Sequence, residues 1–151
     1  LYGPCQRAVE TLFELAEERN IEVVCSGRSE VRVSGTDGLI EILVSNLLRN
    51  AIIYTPAGGR VPVEIVVEND RPYIVVEDNG PGIPAELRDA ALQRFIRIPD
   101  NLGEGSGLGL AIARRIVELH EGHLALFDSS CGQGLRVEVR FPPRHPERRE
   151  A

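Results

Sequence analysis

The 151 residues contain no lysine, no methionine and only three cysteines, and no apolar run approaches the roughly 20 residues needed to span a bilayer. Each absence removes a class of protein. Without lysine the chain has neither the P-loop GxxxxGK[ST] nor the strand lysine of protein kinases, since all 17 basic residues are arginine. Cys5, Cys25 and Cys131 are odd in number and form no CxxC pair, so neither a zinc site nor a disulfide framework is indicated and reduced, structural thiols are expected. The lack of methionine even at position 1 points to a piece of a longer protein. A net charge of −6 disfavours the phosphate-backbone attraction of nucleic-acid binders, so no nucleic-acid partner is expected. No membrane contact by this segment is expected either.

What is present fits one domain with a core, at 42% hydrophobic and 26% charged residues. Helical spacing of Val9, Leu12, Phe13 and Ala16 predicts a first helix over Cys5 to Arg19, stopped at Asn20. Ile21 to Cys25 and Glu30 to Val33 are short β-branched runs, read as two strands that pair across a turn. Ser34 to Asp37 supplies cap chemistry for a second helix with the stripe Leu39, Leu43, Leu47 and Ala51, ended by Thr55-Pro56 and two glycines. A hairpin is predicted from Val61 to Glu68 and Pro72 to Glu77, followed by a short helix from Pro84 to about Gln93. A loop from Phe95 to Gly105 precedes a third main helix, Ser106 to Glu121, with Gly122 as its stop. Strands at His123 to Asp128 and Leu135 to Phe141 close the domain at about residue 142, and 143–151 form a polar, disordered tail. This mixed order predicts an α+β fold of two layers, one mixed sheet with helices on one face.

Three elements carry chemistry. GEGSGLGL, from Gly103 to Leu110, sets glycines before a helix N-terminus, where unpaired N–H groups and the helix dipole favour phosphate. Asn46 and Asn50 are four residues apart, so both amides emerge on one side of the second helix, beside core leucines. They are either satisfied by neighbouring backbone or, through a side-chain carbonyl, a ligand for Mg²⁺. Asp78 stands at a strand end before Asn79-Gly-Pro-Gly82; it either caps the next helix or accepts from an adenine amino group. The GxGxxA match from Gly80 to Ala85 is not a dinucleotide fingerprint, because Pro81 and Pro84 delete N–H donors and no acidic strand end follows at the required distance.

In this order and spacing the motifs resemble those of the catalytic, ATP-binding domain of bacterial sensor histidine kinases. That family shares the Bergerat fold with gyrase, heat-shock chaperone and mismatch-repair ATPases. NLLRNAIIYTP resembles the N box, EDNGPGIP the G1 box, RFIR the F box and GSGLGLAIARRIVELHEGHL the G2 box, over roughly Val9 to Phe141. The resemblance implies a two-layer sandwich with a mainly antiparallel sheet, three main helices on one face and a mobile ATP lid over about Ile96 to Glu104. It implies that ATP and Mg²⁺ bind, with Asn50 on the metal and Asn46 in the same polar cluster. Asp78 would take the adenine amino group, Gly80 and Gly82 would shape that pocket, and Tyr54 would flank the nucleotide. Gly105, Gly107, Leu108 and Gly109 would meet the phosphates through backbone N–H groups, and Phe95 would anchor the lid.

One departure stands out. Many members carry a basic residue where this chain has Ile53, so charge neutralisation falls to Arg94 or Arg97, whose guanidinium groups can pair with phosphate oxygens. No residue is expected as general base. His120-Glu121 begins like the acceptor box HE[LF]RTP but continues Gly122-His123-Leu124, and His145 lies in the tail, so none of the three histidines is expected to accept phosphate. The implied partners are a histidine-bearing dimerisation domain of the same protein and a response regulator receiver domain. The implied whole is a homodimeric, inner-membrane-anchored sensor with this domain in the cytoplasm; alone, the segment is expected to bind ATP without phosphorylating itself. The rival readings are a nucleotide-sensing pseudokinase and an ATPase of the gyrase or chaperone type.

Overall fold

A computed structural model of the chain describes residues 1–27, 30–92, 109–130 and 132–143. Two helices, α1 (Tyr2–Thr11) and α2 (Phe13–Glu18), precede strand β1 (Glu22–Gly27) and the long helix α3 (Asp37–Tyr54). Strands β2 (Arg60–Glu68) and β3 (Arg71–Glu77) follow, then a 3₁₀ turn (Ala85–Leu87) leading into α4 (Arg88–Ala91). Helix α5 (Gly109–Leu119) and strands β4 (His123–Asp128) and β5 (Leu135–Arg140) complete the described elements.

The strands form one five-stranded sheet in the order β1-β2-β3-β5-β4. Only β1 and β2 are parallel; the other three pairings are antiparallel. α3 packs between α1 and α5, and all three lie on the same face of the sheet. Strand alternation explains the division into two faces. Val61, Val63, Ile65, Ile74, Val76, Val137 and Val139 point into the helical layer, where Leu43, Leu48 and Ile52 of α3 are fully buried. The opposite face holds Glu77, Arg136, Glu138 and Arg140, joined by ion pairs, and Tyr73, whose ring lies under the Arg140 guanidinium. The α+β two-layer expectation is therefore met, with its mainly antiparallel sheet and three main helices.

Two local expectations fail. The runs at Ile21–Cys25 and Glu30–Val33 do not pair: β1 bonds in parallel with β2, while Val31 and Val33 pack against the core without joining a ladder. The predicted single first helix is broken at Leu12, whose ψ of 7° turns the chain. At the end of α5 the left-handed residue is Glu121 (φ 56°) rather than Gly122. Gly122 is needed for another reason, since a Cβ there would stand 2.6 Å from the Arg140 carbonyl oxygen. The β2–β3 hairpin turns on Asn69 and Asp70, both at positive φ, as a two-residue type I′ turn requires.

Candidate nucleotide site

Successive turns of α3 carry Asn46, Asn50 and Tyr54 along one side of the helix. Asn46 and Asn50 differ in what their amides do. Asn46 Nδ2–H donates to the Ile42 carbonyl at 2.9 Å, so half of this amide is spent on its own helix. Among the described residues its Oδ1 and its second Nδ2–H are left for a polar cluster. The Asn50 amide makes no hydrogen bond among the described residues. It abuts the first residue of α5, where a Cβ added to Gly109 would stand 3.2 Å from Asn50 Nδ2 and 3.3 Å from Oδ1. The start of the glycine-loop helix therefore meets the second asparagine, as the motif spacing anticipates.

One turn further on, the backbone of Tyr54 meets the loop after β3. A Cβ on Gly80 would come within 2.6 Å of the Tyr54 carbonyl oxygen, so only glycine lets this loop lie against the end of α3. Asn79 N–H donates to Thr55 Oγ1 at 3.3 Å, a second tie between the same two segments. Asn50, Tyr54, Gly80 and Asp78 thus form a continuous wall.

Asp78 leaves the end of β3 and is 6% exposed. Its N–H donates to the Leu135 carbonyl at 2.9 Å, extending the β3–β5 ladder by one rung. Its Oδ1 accepts the N–H groups of Gly80 at 2.9 Å and of Leu135 at 3.1 Å. Both bonds fall on one oxygen, and Oδ2 has no donor among the described residues. Burial raises the carboxyl pKa to about 6, against the two backbone bonds that lower it, and the neighbouring Glu77 adds to the rise. The carboxylate is fixed in direction and short of partners, which is what a receptor for an amino group needs.

Sequence reasoning missed Leu135, Gly134 and Thr55. Gly134 (φ 124°) lies so close to Asp78 that a Cβ would collide with the Asp78 carbonyl oxygen. Gly82 (φ 73°) presses in turn on Gly134, where a Cβ would be 2.9 Å from the carbonyl oxygen. The Gly-Gln-Gly turn before β5 was the available signal, read only as a turn. Ile53 is 4% exposed and its carbonyl accepts from Arg19 Nη1 at 3.4 Å, so this position offers the site no cation. Arg94, Arg97, Phe95, Gly105, Gly107, Leu108, the proposed lid, Cys131 and the tail from residue 144 all lie outside the described residues.

A family profile described as histidine kinase-, DNA gyrase B- and HSP90-like ATPase matches residues 35–145. The chain belongs to that ATPase family. Its relatives in this ATPase family include the sensor protein kinase PmrB of Pseudomonas aeruginosa, 44% identical over 146 residues, covering 93% of the chain and 30% of PmrB. The chain therefore spans under a third of that relative's length. Among solved structures, a mycobacterial sensor histidine kinase, MprB, superposes with a TM-score of 0.79 at 30% identity, covering 95% of both chains. Full-length ShkA in complex with AMPPNP gives a TM-score of 0.79 at 26% identity, covering 93% of this chain and 29% of ShkA. The resemblance read from the N, G1 and G2 boxes to sensor histidine kinase ATP-binding domains is thus met in sequence and in fold.

Proposed function

We propose that this domain binds Mg-ATP between α3, the Asp78 loop and the start of α5. There it presents the γ-phosphate to a histidine on a separate dimerisation domain of the same protein. The phosphoryl group then passes to an aspartate of a response regulator. The observation that carries the reading is Asp78 itself: a buried carboxylate with one oxygen held by two backbone N–H groups and the other without a donor among the described residues. In this arrangement Asp78 Oδ2 accepts from the adenine amino group. Tyr54 flanks the nucleotide, Gly80 and Gly82 shape the pocket by letting the Asp78 loop lie against the Tyr54 and Gly134 backbone, and Gly105, Gly107, Leu108 and Gly109 offer N–H groups to phosphate.

Asn50 suits a hard cation: its amide oxygen accepts no hydrogen bond among the described residues, and Mg²⁺ needs only one or two protein oxygens beside phosphate. When bound, Mg²⁺ neutralises phosphate charge. Arg94 or Arg97 supplies the cationic support that Ile53 does not. The domain's task in phosphoryl transfer is positioning and charge stabilisation, so it needs no general base. The AMPPNP bound by ShkA supports an adenine nucleotide as the ligand. No described helix is long and apolar enough to cross a membrane; membrane anchoring and homodimerisation belong to the longer protein.

Two measurements test the reading. Titration of the 151-residue chain with ATP and Mg²⁺ should show saturable binding, and absence of binding overturns the site. Incubation of a longer chain carrying the upstream domain with γ-labelled ATP should then place label on histidine. Binding without label identifies a nucleotide-sensing module, and free phosphate alone identifies an ATPase.

A further inference from the structure

His120, just past the end of α5, is 8% exposed and lies far along the fold from the nucleotide wall, yet both of its ring nitrogens are engaged. Nδ1 lies 2.7 Å from the Ile116 carbonyl oxygen, an acceptor only, so Nδ1 must carry the proton. Nε2 lies 3.3 Å from the Thr36 N–H, a donor only, so Nε2 must present its lone pair. A single neutral tautomer satisfies both. Thr36 is the N-cap of α3 and makes no side-chain cap bond, and the histidine accepts the N–H of the N-cap residue itself, which ties the start of α3 to the C-terminal end of α5. The ring is fitted from two further sides. Gly35 presses on it so closely that a Cβ there would collide with Cδ2 and Nε2, and Phe141 meets it edge-on at 6.4 Å.

α3 and α5 run antiparallel: His120 meets the start of α3, and Gly109 meets Asn50 in the last turns of α3. From Gly109 to His120 the axial rise is about 16 Å, so a swing of about 5° at the clamp displaces the other end by roughly 1.4 Å. Such a displacement is large for a nucleotide site. We propose that His120 is a positioning residue for nucleotide binding: its Nδ1-protonated ring fixes the angle between α3 and α5, and hence the separation of Asn50 from the first turn of α5. The inference rests on the nucleotide-site reading above.

The groups facing the ring are the Ile116 carbonyl on α5, the Gly35 and Thr36 backbone before α3, and the apolar Phe141 after β5. The nearest ionisable group in sequence on the α3 side, Asp37, has an 81% exposed side chain 3.9 Å from Arg7. On the α5 side Glu118 pairs with Arg114 at 3.2 Å, and Glu121 is exposed.

The test compares Mg-ATP dissociation constants of the 151-residue chain, of His120→Leu and of His120→Gln at about pH 8. Leucine removes both hydrogen bonds, and the expected ratio to the parent is about ten. Glutamine can still donate and accept, so its ratio should be near one. Gly35→Ala, which displaces the ring, should behave like leucine, and ¹⁵N spectra of the parent should show the Nδ1–H tautomer. A leucine ratio near one, a glutamine ratio equal to leucine's, or an Nε2–H ring overturns the clamp. Failure of the parent to bind Mg-ATP at pH 8 would instead overturn the site reading.

Discussion

Glu77 and Asp78 are neighbours in the chain, nearly equally buried at 8% and 6%, and they face opposite sides of the sheet with opposite electrostatic outcomes. Glu77 looks out on the open face. Burial pushes its carboxyl pKa upward, but the Arg136 bond at 2.6 Å and the Ser130 and Ser129 hydroxyls outweigh that and leave it below the ordinary value. Arg136 in turn bonds Glu138, and Glu138 bonds Arg140, whose guanidinium lies 4.6 Å from the Tyr73 ring centroid. This is a finished network. Asp78 bonds no cation among the described residues, only two N–H groups on one oxygen, and its pKa is raised to about 6. A carboxylate whose charge is answered within the protein holds structure together. One left short of partners in a fixed direction is available to a ligand.

The largest effect should come from Asp78→Asn. An amide oxygen still accepts the Gly80 and Leu135 N–H groups, but its other end is a donor facing the adenine amino group. ATP affinity measured by calorimetry should fall by about 10- to 100-fold. Stability should move the other way. Because the folded pKa of Asp78 is raised, the stability it contributes is complete below its unfolded value of 3.8 and is lost as pH rises through about 6. At pH 7 to 8 the variant should therefore be more stable than the parent by roughly 1–3 kcal/mol in denaturant titrations, an advantage that disappears near pH 4. Equal stability at both pH values would show that the carboxylate carries no such cost.

Arg136→Met attacks the other half of the comparison. It leaves Glu77 buried without its cation, and the expected loss at pH 7 is about 1–2 kcal/mol, below the range for a fully buried pair because the Arg136 side chain is 27% exposed. The folded pKa of Glu77 is lowered, so the stability at stake is present above its unfolded value and is lost as pH falls through the folded one. The parent and Arg136→Met should converge in acid, and their ATP affinities should stay within about threefold of each other. A much larger affinity loss would mean that the two faces are coupled through β5.

The smallest effect is the pH profile of binding itself. If only ionised Asp78 holds the adenine amino group, affinity should improve by about fourfold between pH 5.5 and pH 7.5, the change in ionised fraction for a pKa of about 6. Asp78→Asn should flatten that component, which separates it from titration of the nucleotide.

Much of this was legible in the sequence, for physical reasons that differ by element. β2 and β3 could be read because their β-branched runs flank a two-residue Asn-Asp turn. The pairing of β1 could not: a parallel partner reached only through α3 leaves no local signal, and the nearby Val31 and Val33 offered a false one. The side of α3 that carries Asn50 followed from four-residue spacing beside core leucines. That Asn46 turns its Nδ2 to Ile42 did not, since back-bonding depends on a rotamer rather than on sequence spacing. Ser34 to Asp37 read as cap chemistry for α3, but the N-cap Thr36 makes no side-chain cap bond, and its own N–H donates to His120, 84 residues away.

The mutual contact of Gly82, Gly134 and the Asp78 carbonyl means that two segments more than fifty positions apart in the chain cannot drift independently. A larger residue at 134 would demand a rebuilt path at 78, and tolerance at 82 depends on what stands at 134. A chimaera that transplanted Asp78 to Gly82 without Gly132 to Leu135 would inherit the acid but lose the strand that aims it. The purine recognition proposed for Asp78 would be heritable only as a pair of loops.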